Sequence, residues 1–148
     1  MIEFKADTTI AAPAETVWDI LTNTAAWPEW DPFCERIEGT VAPGAKLKAY
    51  SKLAPGRGFG VRVAELSPPT RMVWSGGMPL GLFKGVRTFS LSPSGSPAGS
   101  PAGDGVRFEL HETFDGLMLP LIAKSLPDMT EAFQAFCKGL KERAEAAA

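Results

Sequence analysis

Apolar and polar residues alternate along the beginning of the chain, from Ile2 to Ile10. A period of two predicts a β-strand with one buried face. Pro13 then suits the first turn of an α-helix, where its missing N–H costs nothing. One face of the helix that follows carries Val17, Ile20, Leu21 and Thr24, with Trp18 beside it. The start of the chain therefore predicts a strand followed directly by an amphipathic helix.

A Trp- and Pro-rich elbow, WPEWDPF over residues 27–33, comes next. Pro28 and Pro32 prevent a long continuation of the helix, so the elbow is predicted to be a short helix or two turns. Four extended segments follow, each bounded by Gly or Pro: 36–41, 46–53, 59–66 and 71–75. Short strands with turn signals at this spacing indicate an antiparallel meander.

The last two predicted strands have the clearest alternation. One face of the first carries Phe83, Gly85, Arg87, Phe89 and Leu91, and one face of the second carries Val106, Phe108, Leu110, Glu112 and Phe114. Between them, residues 93–105 are low-complexity sequence in which Ser-Pro-Ala-Gly occurs twice. Such a segment cannot form a core. It is predicted to be a flexible hairpin loop inside one domain spanning 1–148, with a functional lid as the alternative.

The chain ends in a pattern typical of a long helix. Apolar residues recur at spacings of three and four over residues 119–140, which forms one continuous stripe. Pro127 is expected to kink or restart this helix. Ser125, three residues before Asp128, is a candidate cap for the restarted segment. The tail AEAAA, residues 144–148, is expected to fray.

The composition is typical of a globular domain and reduces the number of possible functions. Of the 148 residues, 45% are hydrophobic, and a net charge of −2 gives no broad electrostatic case for nucleic acid. No apolar run approaches the roughly 20 residues that span a bilayer. No signal peptide is evident, so a cytoplasmic location is expected. Cys34 and Cys137 are expected to be free and structural; a redox pair would require the elbow to touch the C-terminal helix.

Three segments carry a family resemblance. Residues 12–18 read Ala-Pro-x-x-x-Val-Trp, residues 30–33 read Trp-x-Pro-Phe, and ETFDG leads into LMLPLI over residues 112–122. With its order of strand, helix, elbow, six strands and long helix, nearly the whole chain resembles the SRPBCC superfamily, the START and polyketide-cyclase helix-grip proteins. The resemblance implies an α+β fold, in which a curved antiparallel sheet of about seven strands wraps around the C-terminal helix.

The resemblance also implies an internal apolar cavity for a hydrophobic or aromatic small molecule, such as a lipid, a polyketide or a related metabolite. Aromatic residues are its candidate walls, although the same side chains would equally suit a tightly packed core. The candidate ligand-binding residues are Trp27, Trp30, Phe33, Phe59, Trp74, Arg87, Phe89, Phe108, Leu110, Glu112, Ile122, Met129 and Phe133.

Arg87 and Glu112 form the candidate polar anchor, because each sits on the otherwise apolar face of its strand. A hairpin that pairs Phe89 with Phe108 would place Arg87 opposite Leu110 and diagonal to Glu112, within reach of long side chains. An unpaired inward charge is costly, so a salt bridge is expected. It would either close one end of the barrel or orient a carboxylate, hydroxyl or carbonyl of the ligand. A slipped register would instead expose both residues.

Other motifs favour structural roles. His111, the only histidine, falls on the solvent face of its strand, which argues against a general base and a histidine-based zinc site. Asp31 is expected to cap the elbow, with a contact at the cavity mouth as the alternative. The segment GRGFG, residues 56–60, lacks phosphate-loop spacing and predicts a tight hairpin turn. No metal and no cofactor are predicted.

Three functions are compatible with these features, and their order rests on fold-level analogy. The first is a binding protein for a hydrophobic small molecule. The second is an enzyme similar to polyketide cyclases or dehydratases, with Glu112 as the candidate acid or base. The third is a protein-interaction module of the co-chaperone or toxin type. The predicted partner is a hydrophobic small molecule and not nucleic acid; its identity and the oligomeric state stay open.

Overall fold

The structure, a computed structural model, describes residues 1–94 and 105–147. These residues form seven strands: β1 (Ile2–Ile10), β2 (Cys34–Glu38), β3 (Lys46–Ser51), β4 (Gly58–Ser67), β5 (Arg71–Met78), β6 (Phe83–Pro93) and β7 (Val106–Asp115). They also form the helices α1 (Ala14–Thr22), α2 (Leu119–Ile122) and α3 (Thr130–Ala147), with 3-10 helices at Thr24–Glu29 and Ala123–Ser125. The predicted order of elements is confirmed.

The strands form one antiparallel sheet in the order β1-β7-β6-β5-β4-β3-β2, so β1 and β2 are its edges. Helix α3 packs against β1 and β7, helix α1 packs against α3, and the elbow packs against β2. Lys141 of α3 also donates a hydrogen bond to the carbonyl oxygen of Thr9 at 2.7 Å. The sheet curls around α3, as predicted, and the elbow and α1 complete the enclosure.

The elbow is held by its first tryptophan. Helix α1 begins after Pro13 and buries Val17, Trp18 and Leu21. The chain then turns into a 3-10 helix, and the indole N–H of Trp27 donates to the carbonyl oxygen of Leu21 at 3.0 Å. This bond satisfies the polar group of a buried indole, which lets the ring enter the core.

Helix α3 approaches the elbow most closely at Gly139. A Cβ atom on this residue would lie only 1.9 Å from the carbonyl oxygen of Trp30. Glycine lowers helix stability in an ordinary helix interior. Here it is required, because any other side chain would force α3 away from the elbow.

The predicted long C-terminal helix is interrupted. Helix α2 ends at Ile122 and α3 begins only at Thr130, beyond Pro127. Asp128, rather than Ser125, caps the restarted helix: its Oδ1 accepts the N–H of Thr130 at 3.0 Å. The Ser125 hydroxyl instead donates to a carbonyl oxygen three residues earlier, at 2.8 Å. The restart at Pro127 was predicted, whereas the proposed serine cap was wrong.

The predicted fraying of the tail is also wrong as far as Ala147, the last described residue of α3. Ala144 is fully buried in the core. The carboxylate of Glu145 accepts the backbone N–H of Ala11 at 2.9 Å and the ammonium group of Lys141 at 2.6 Å. These contacts tie the last turns of α3 to the end of β1.

The register between β6 and β7 is shifted by two residues from the predicted one. Phe89 pairs with Leu110 and not with Phe108, so Arg87 lies directly opposite Glu112. A shift of two keeps every side chain on its predicted face, and it brings the two charges together. The N–H of Ser94 donates to the carbonyl oxygen at position 105 (3.1 Å), and the rest of the predicted loop, 95–104, lies outside the described residues.

The core lies between the inner face of the sheet and helices α1 and α3. Its least exposed members come from all of these layers: Ile10, Val17, Leu21, Trp27, Val63, Met72, Phe89, Phe108, Leu110 and Leu140. Burial of an apolar side chain of this size stabilises a fold by about 1.5–3 kcal/mol. The inner face is therefore the surface on which ligand-binding residues must be sought.

Candidate ligand-binding site

A row of directly paired residues crosses the inner face of the sheet. Val63 pairs with Trp74, Trp74 with Arg87, Arg87 with Glu112, and Glu112 with Phe4. Residues directly opposite each other in antiparallel strands project to the same face. The central row therefore places one cation and one anion side by side between aromatic neighbours.

Arg87 and Glu112 form the ion pair that the sequence predicted. The Nε and Nη2 atoms of Arg87 both donate to Oε2 of Glu112, at 3.0 and 2.7 Å. The Glu112 side chain is 11% exposed and that of Arg87 is 25% exposed. Two charge-assisted hydrogen bonds offset the desolvation of this carboxylate. Oε1 of Glu112 and Nη1 of Arg87 take part in neither of these two hydrogen bonds.

Helix α3 covers the ion pair with an aromatic ring. The guanidinium carbon of Arg87 lies 5.0 Å from the ring centroid of Phe133, within the range of a cation–π interaction. Phe133 also meets Phe4 of β1 edge to face, at 6.2 Å between centroids. The pair is thus enclosed by the sheet on one side and by α3 on the other.

Two aromatic clusters flank the ion pair. The elbow cluster comprises Trp27, Trp30, Trp74, Phe89, Phe108 and Phe136, whose contacting rings are 4.9–6.0 Å apart. The second cluster comprises Phe4, Phe83, Phe114 and Phe133, with contacting rings 5.8–6.3 Å apart. The elbow cluster is tightly packed, so its predicted wall residues form a core in this conformation.

Two buried polar atoms of the elbow cluster have no partner within the described part of the chain. They are the indole nitrogens of Trp30 and Trp74. A buried N–H without an acceptor costs about 1–3 kcal/mol. Trp74 belongs to the central row, next to Arg87. Trp74 and Arg87 are therefore two neighbouring hydrogen-bond donors for a ligand group that accepts hydrogen bonds.

Asp31 joins the polar part of the site from the elbow. Its carboxylate is buried and accepts the N–H of Phe33 at 3.1 Å, which holds the turn after the 3-10 helix. Burial raises the pKa of Asp31, and the bond from Phe33 and the charges of Arg87 and Lys52 oppose this rise. Asp31 thus holds the elbow turn and interacts electrostatically with the candidate anchor.

The remaining predicted wall residues are divided between the interior and the surface. Leu110 is fully buried, and Phe33, Ile122 and Met129 are half-buried. Phe59 is 48% exposed and lies near the Arg57 guanidinium, so it is not an enclosed wall residue. The prediction for Phe59 is wrong because this second residue of β4 lies near the end of the sheet, where α3 does not cover it.

An open groove of about 710 Å³ lies elsewhere, along the β5–β6 hairpin. Its lining includes Lys46, Arg62, Ser75 and Lys84, which project opposite to the inner-face residues of the same strands. The groove shares Phe83 with the second aromatic cluster, but these polar lining residues lie on the face of the sheet opposite to Arg87.

Four aromatic residues of the two clusters were absent from the predicted ligand-binding residues, and one of them, Phe83, lies on the inward face of β6. Phe4 and Phe114 border the ion pair, and Phe136 touches four members of the elbow cluster. Each had a usable signal: Phe4 and Phe114 lie at inward positions of their strands, and Phe136 lies on the apolar stripe of the last helix. In the structure Gly85 lies opposite Phe114 and makes room for its ring, because a Cβ on Gly85 would come within 3.2 Å of it.

The other reactive side chains are the one histidine, which lies outside the site, and two thiols, which are buried. His111 Nε2 lies 3.1 Å from the Glu3 carboxylate on the outer face, as the alternation predicted. Cys34 and Cys137 are free and buried, although the elbow does touch α3. Burial raises the pKa of Cys34 to about 11 and that of Cys137 to about 12. Neither thiol is activated as a nucleophile.

The fold and the inner-face site define a helix-grip protein of the SRPBCC type. Residues 1–145 match the family described as polyketide cyclase / dehydrase and lipid transport, and the chain belongs to this family. No curated protein matches the chain. Within residues 1–94 and 105–147, no helix is long and apolar enough to cross a membrane.

Solved structures share the fold at low sequence identity. A protein from Thermus thermophilus has a TM-score of 0.69 and 23% identity, with 99% of both chains covered. A START superfamily protein from Mycobacterium smegmatis has a TM-score of 0.67 and 18% identity, also with 99% of both chains covered. The di-domain ARO/CYC protein BexL of the BE-7585A biosynthetic pathway has a TM-score of 0.68 and 16% identity; the match covers 98% of this chain and 47% of BexL.

Proposed function

We propose that this protein binds a hydrophobic or aromatic small molecule, such as a lipid, a polyketide or a related metabolite, between the curved sheet and α3. The observation that carries the proposal is the Arg87–Glu112 ion pair on the inner face, between two aromatic clusters. Ligand sites commonly combine apolar walls with a few placed polar groups. The family description, which names polyketide cyclases and lipid transport, supports the same class of ligand.

The apolar part of the ligand would lie against the second aromatic cluster. Phe4 and Phe83 of this cluster are only half-buried, in contrast to the buried side chains of the elbow cluster. Ile122 and Met129, which precede Phe133 in the chain, are also half-buried. Leu126 and Pro127, between α2 and α3, are also half-buried and lie outside regular helix. Movement of this connection would open the space between Phe133 and the sheet without unfolding α3.

The polar part of the ligand would meet the central row. Arg87 offers a cation to a carboxylate or a carbonyl oxygen, and the unpaired indole N–H of Trp74 offers a further donor. The carboxylate of Glu112 would accept a hydroxyl group. We therefore expect a ligand with an apolar body and one oxygen-bearing end.

Native mass spectrometry of protein purified without detergent tests for a bound molecule. An adduct that disappears on denaturation is the expected result, and its mass begins to identify the ligand. If the protein is apo, a panel of fatty acids and aromatic polyketides is titrated while tryptophan fluorescence is recorded, because Trp74 lies beside Arg87 and Trp27 stacks on Trp74.

The variant Arg87→Ala tests whether the ligand binds at this site. We expect at least tenfold weaker binding from the loss of a charged hydrogen bond. Arg107→Ala is the matched control, because Arg107 forms its ion pair with Asp7 on the outer face. Equal affinity of the Arg87 variant and wild type would refute the proposed anchor. A protein with no adduct and no response to the panel would refute the proposed function.

Catalysis at Glu112 is a second candidate, favoured by one observation. Its carboxylate is 11% exposed and lies between Arg87 and Phe4 on the inner face, a setting in which a carboxyl group can serve as acid or base. Glu112→Gln would then abolish turnover of a bound polyketide while preserving its affinity. Unchanged turnover in this variant would exclude the role.

A further inference from the structure

The large apolar side chains left exposed by the described residues lie at one end of the sheet. They are Met1, Phe59, Met78, Leu80, Leu117 and Leu121. In the antiparallel order, β1, β4 and β6 begin at this end, whereas β5 and β7 finish there. Met1 precedes β1, and Phe59 is the second residue of β4. Met78 and Leu80 lie at and just beyond the end of β5, and Leu117 and Leu121 follow β7. We call this set the apolar end.

Hydrogen bonds join the two main parts of the apolar end. The N–H of Leu117 donates to the carbonyl oxygen of Gly81 at 3.1 Å, and the N–H of Met118 donates to that of Leu82 at 2.7 Å. The β5–β6 turn is thus fastened to the segment that begins α2. The exposed Leu80, Leu117 and Leu121 therefore belong to one surface.

Leu80 is the most prominent residue of the apolar end. It is 91% exposed and is the non-glycine residue with a positive φ, +62°, among those described. This conformation is unfavourable for a branched side chain. Leu117 and Leu121, on the segment that leads into α2, are 80% and 76% exposed. Leu80, Leu117 and Leu121 are thus exposed to solvent, although backbone hydrogen bonds fix the two segments that carry them.

The turns at this end carry several cations that are unpaired among the described residues. Segments 52–57, 76–84 and 116–124, which form its turns and the start of α2, contain Lys52, Arg57, Lys84 and Lys124 and no Asp or Glu. Within the described part of the chain, none of the four forms an ion pair within 4.0 Å. Asp115, which precedes the third segment and lies directly opposite Lys84, accepts the N–H of Gly116 at 2.9 Å. The local excess of cations contrasts with the chain's net charge of −2.

We infer that the apolar end docks on the surface of an anionic lipid bilayer. Exposed leucines that insert at the headgroup boundary, with Lys and Arg beside them, are the combination that interfacial membrane binding uses. A protein partner fits less well, because Lys is depleted from protein–protein interfaces. The surface also adjoins the half-buried residues Phe83 and Ile122, so a docked protein would present its proposed ligand site to the bilayer.

Vesicle flotation tests this inference without any knowledge of the ligand. Wild-type protein is mixed with vesicles of phosphatidylcholine alone or of phosphatidylcholine with phosphatidylglycerol. We expect at least tenfold stronger binding to the anionic vesicles, since each basic residue near such a surface contributes about fivefold. The double variant Leu80→Ser/Leu121→Ser should bind these vesicles at least tenfold more weakly, because both leucines would otherwise leave water.

The charge control compares two exposed lysines. Lys84→Glu should weaken binding to anionic vesicles by more than fivefold. Lys138→Glu should not, because Lys138 lies on α3 one turn before Lys141, whose bond to Thr9 is at the opposite end of β1. Both variants change the net charge equally, and circular dichroism confirms that each is folded.

Two results would overturn the inference. One is equal binding of wild type and the leucine variant to anionic vesicles. The other is a dimer, seen by sedimentation velocity, that does not bind vesicles and dissociates on Leu80→Ser, since a second copy of the chain would then cover this surface. Failure here would leave the proposed function untouched, because ligand binding is measured in the absence of vesicles.

Discussion

Arg87 donates two hydrogen bonds to one oxygen of Glu112 from the directly opposing position of the neighbouring strand. The pair lies beneath Phe133 on a face that is otherwise apolar. A charge in such a place is tolerated only while its partner is present. Replacement of either residue therefore leaves the charge of the other without its partner.

Arg87→Met should lower the free energy of unfolding by about 1.5–3 kcal/mol, because it leaves the Glu112 carboxylate without its charged donors. Glu112→Leu should have a similar effect. The double variant should lose less than the sum of the two single variants, since no unpaired charge remains inside. Urea denaturation of the four proteins gives the coupling energy. Strictly additive losses would show that the pair does not stabilise the fold as a unit.

Gly139→Ala should destabilise the protein by about 1–3 kcal/mol, although alanine is the better helix former. The reason is the 1.9 Å approach of the new Cβ atom to the carbonyl oxygen of Trp30. Gly60→Ala is the control, because nothing lies within 4 Å of its added Cβ. Thermal unfolding compares the two. A Gly139 variant as stable as wild type would show that α3 can move away from the elbow at little cost.

Asp31→Asn should stabilise the protein at neutral pH. The amide oxygen can still accept the N–H of Phe33, and the buried charge is removed. Because burial raises the pKa of Asp31, the folded state binds its proton more tightly than the unfolded state. Ionisation above pH about 4 therefore lowers the free energy of unfolding. Denaturation curves should show the largest advantage of the variant near pH 7 and little at pH 3. An advantage that persists at pH 3 would contradict this origin.

The two thiols should react slowly in the folded protein and make it less stable in alkali. Burial raises the pKa of Cys34 to about 11 and that of Cys137 to about 12. The unfolded thiols ionise from about pH 8.5, so their contribution to stability is present below that pH and is lost toward pH 11–12. Ellman's reagent at pH 8 should modify both thiols quickly only in urea.

Cys137→Ala separates this effect from the ionisation of Lys and Tyr. The variant should lose less stability than wild type between pH 8.5 and about 11, measured by urea denaturation at each pH. Parallel losses in the two proteins would show that the Cys137 thiol does not ionise differently in the folded and unfolded states.

The periodic patterns in the sequence were sufficient for much of this structure. Strict alternation located β1, and the inward positions of β6 and β7 identified Arg87 and Glu112 as the charges on the apolar face. Local chemistry also located the elbow at its prolines and the restart of the last helix at Pro127. These predictions succeeded because they depend on a few neighbouring residues and on the two-residue or 3.6-residue periods of the backbone.

Relationships between distant segments could not be predicted in this way. The register that opposes Arg87 to Glu112 has the same alternation as the predicted register, because a shift by two residues leaves every face unchanged. The need for glycine at position 139 follows from a carbonyl oxygen more than a hundred residues earlier. The exposed Phe59 was misjudged because hydrophobicity does not say which positions α3 will cover.

The sequence by itself determined the kinds and order of the elements, their inner faces and the helix-grip class. The tertiary structure alone decided the partners: the ion pair beneath Phe133, the dense elbow cluster, and the gathering of the exposed leucines at one end of the sheet. The physical reason is that periodicity is a local property of the chain. Pairing, packing and shared surfaces arise only when strands and helices far apart in sequence meet.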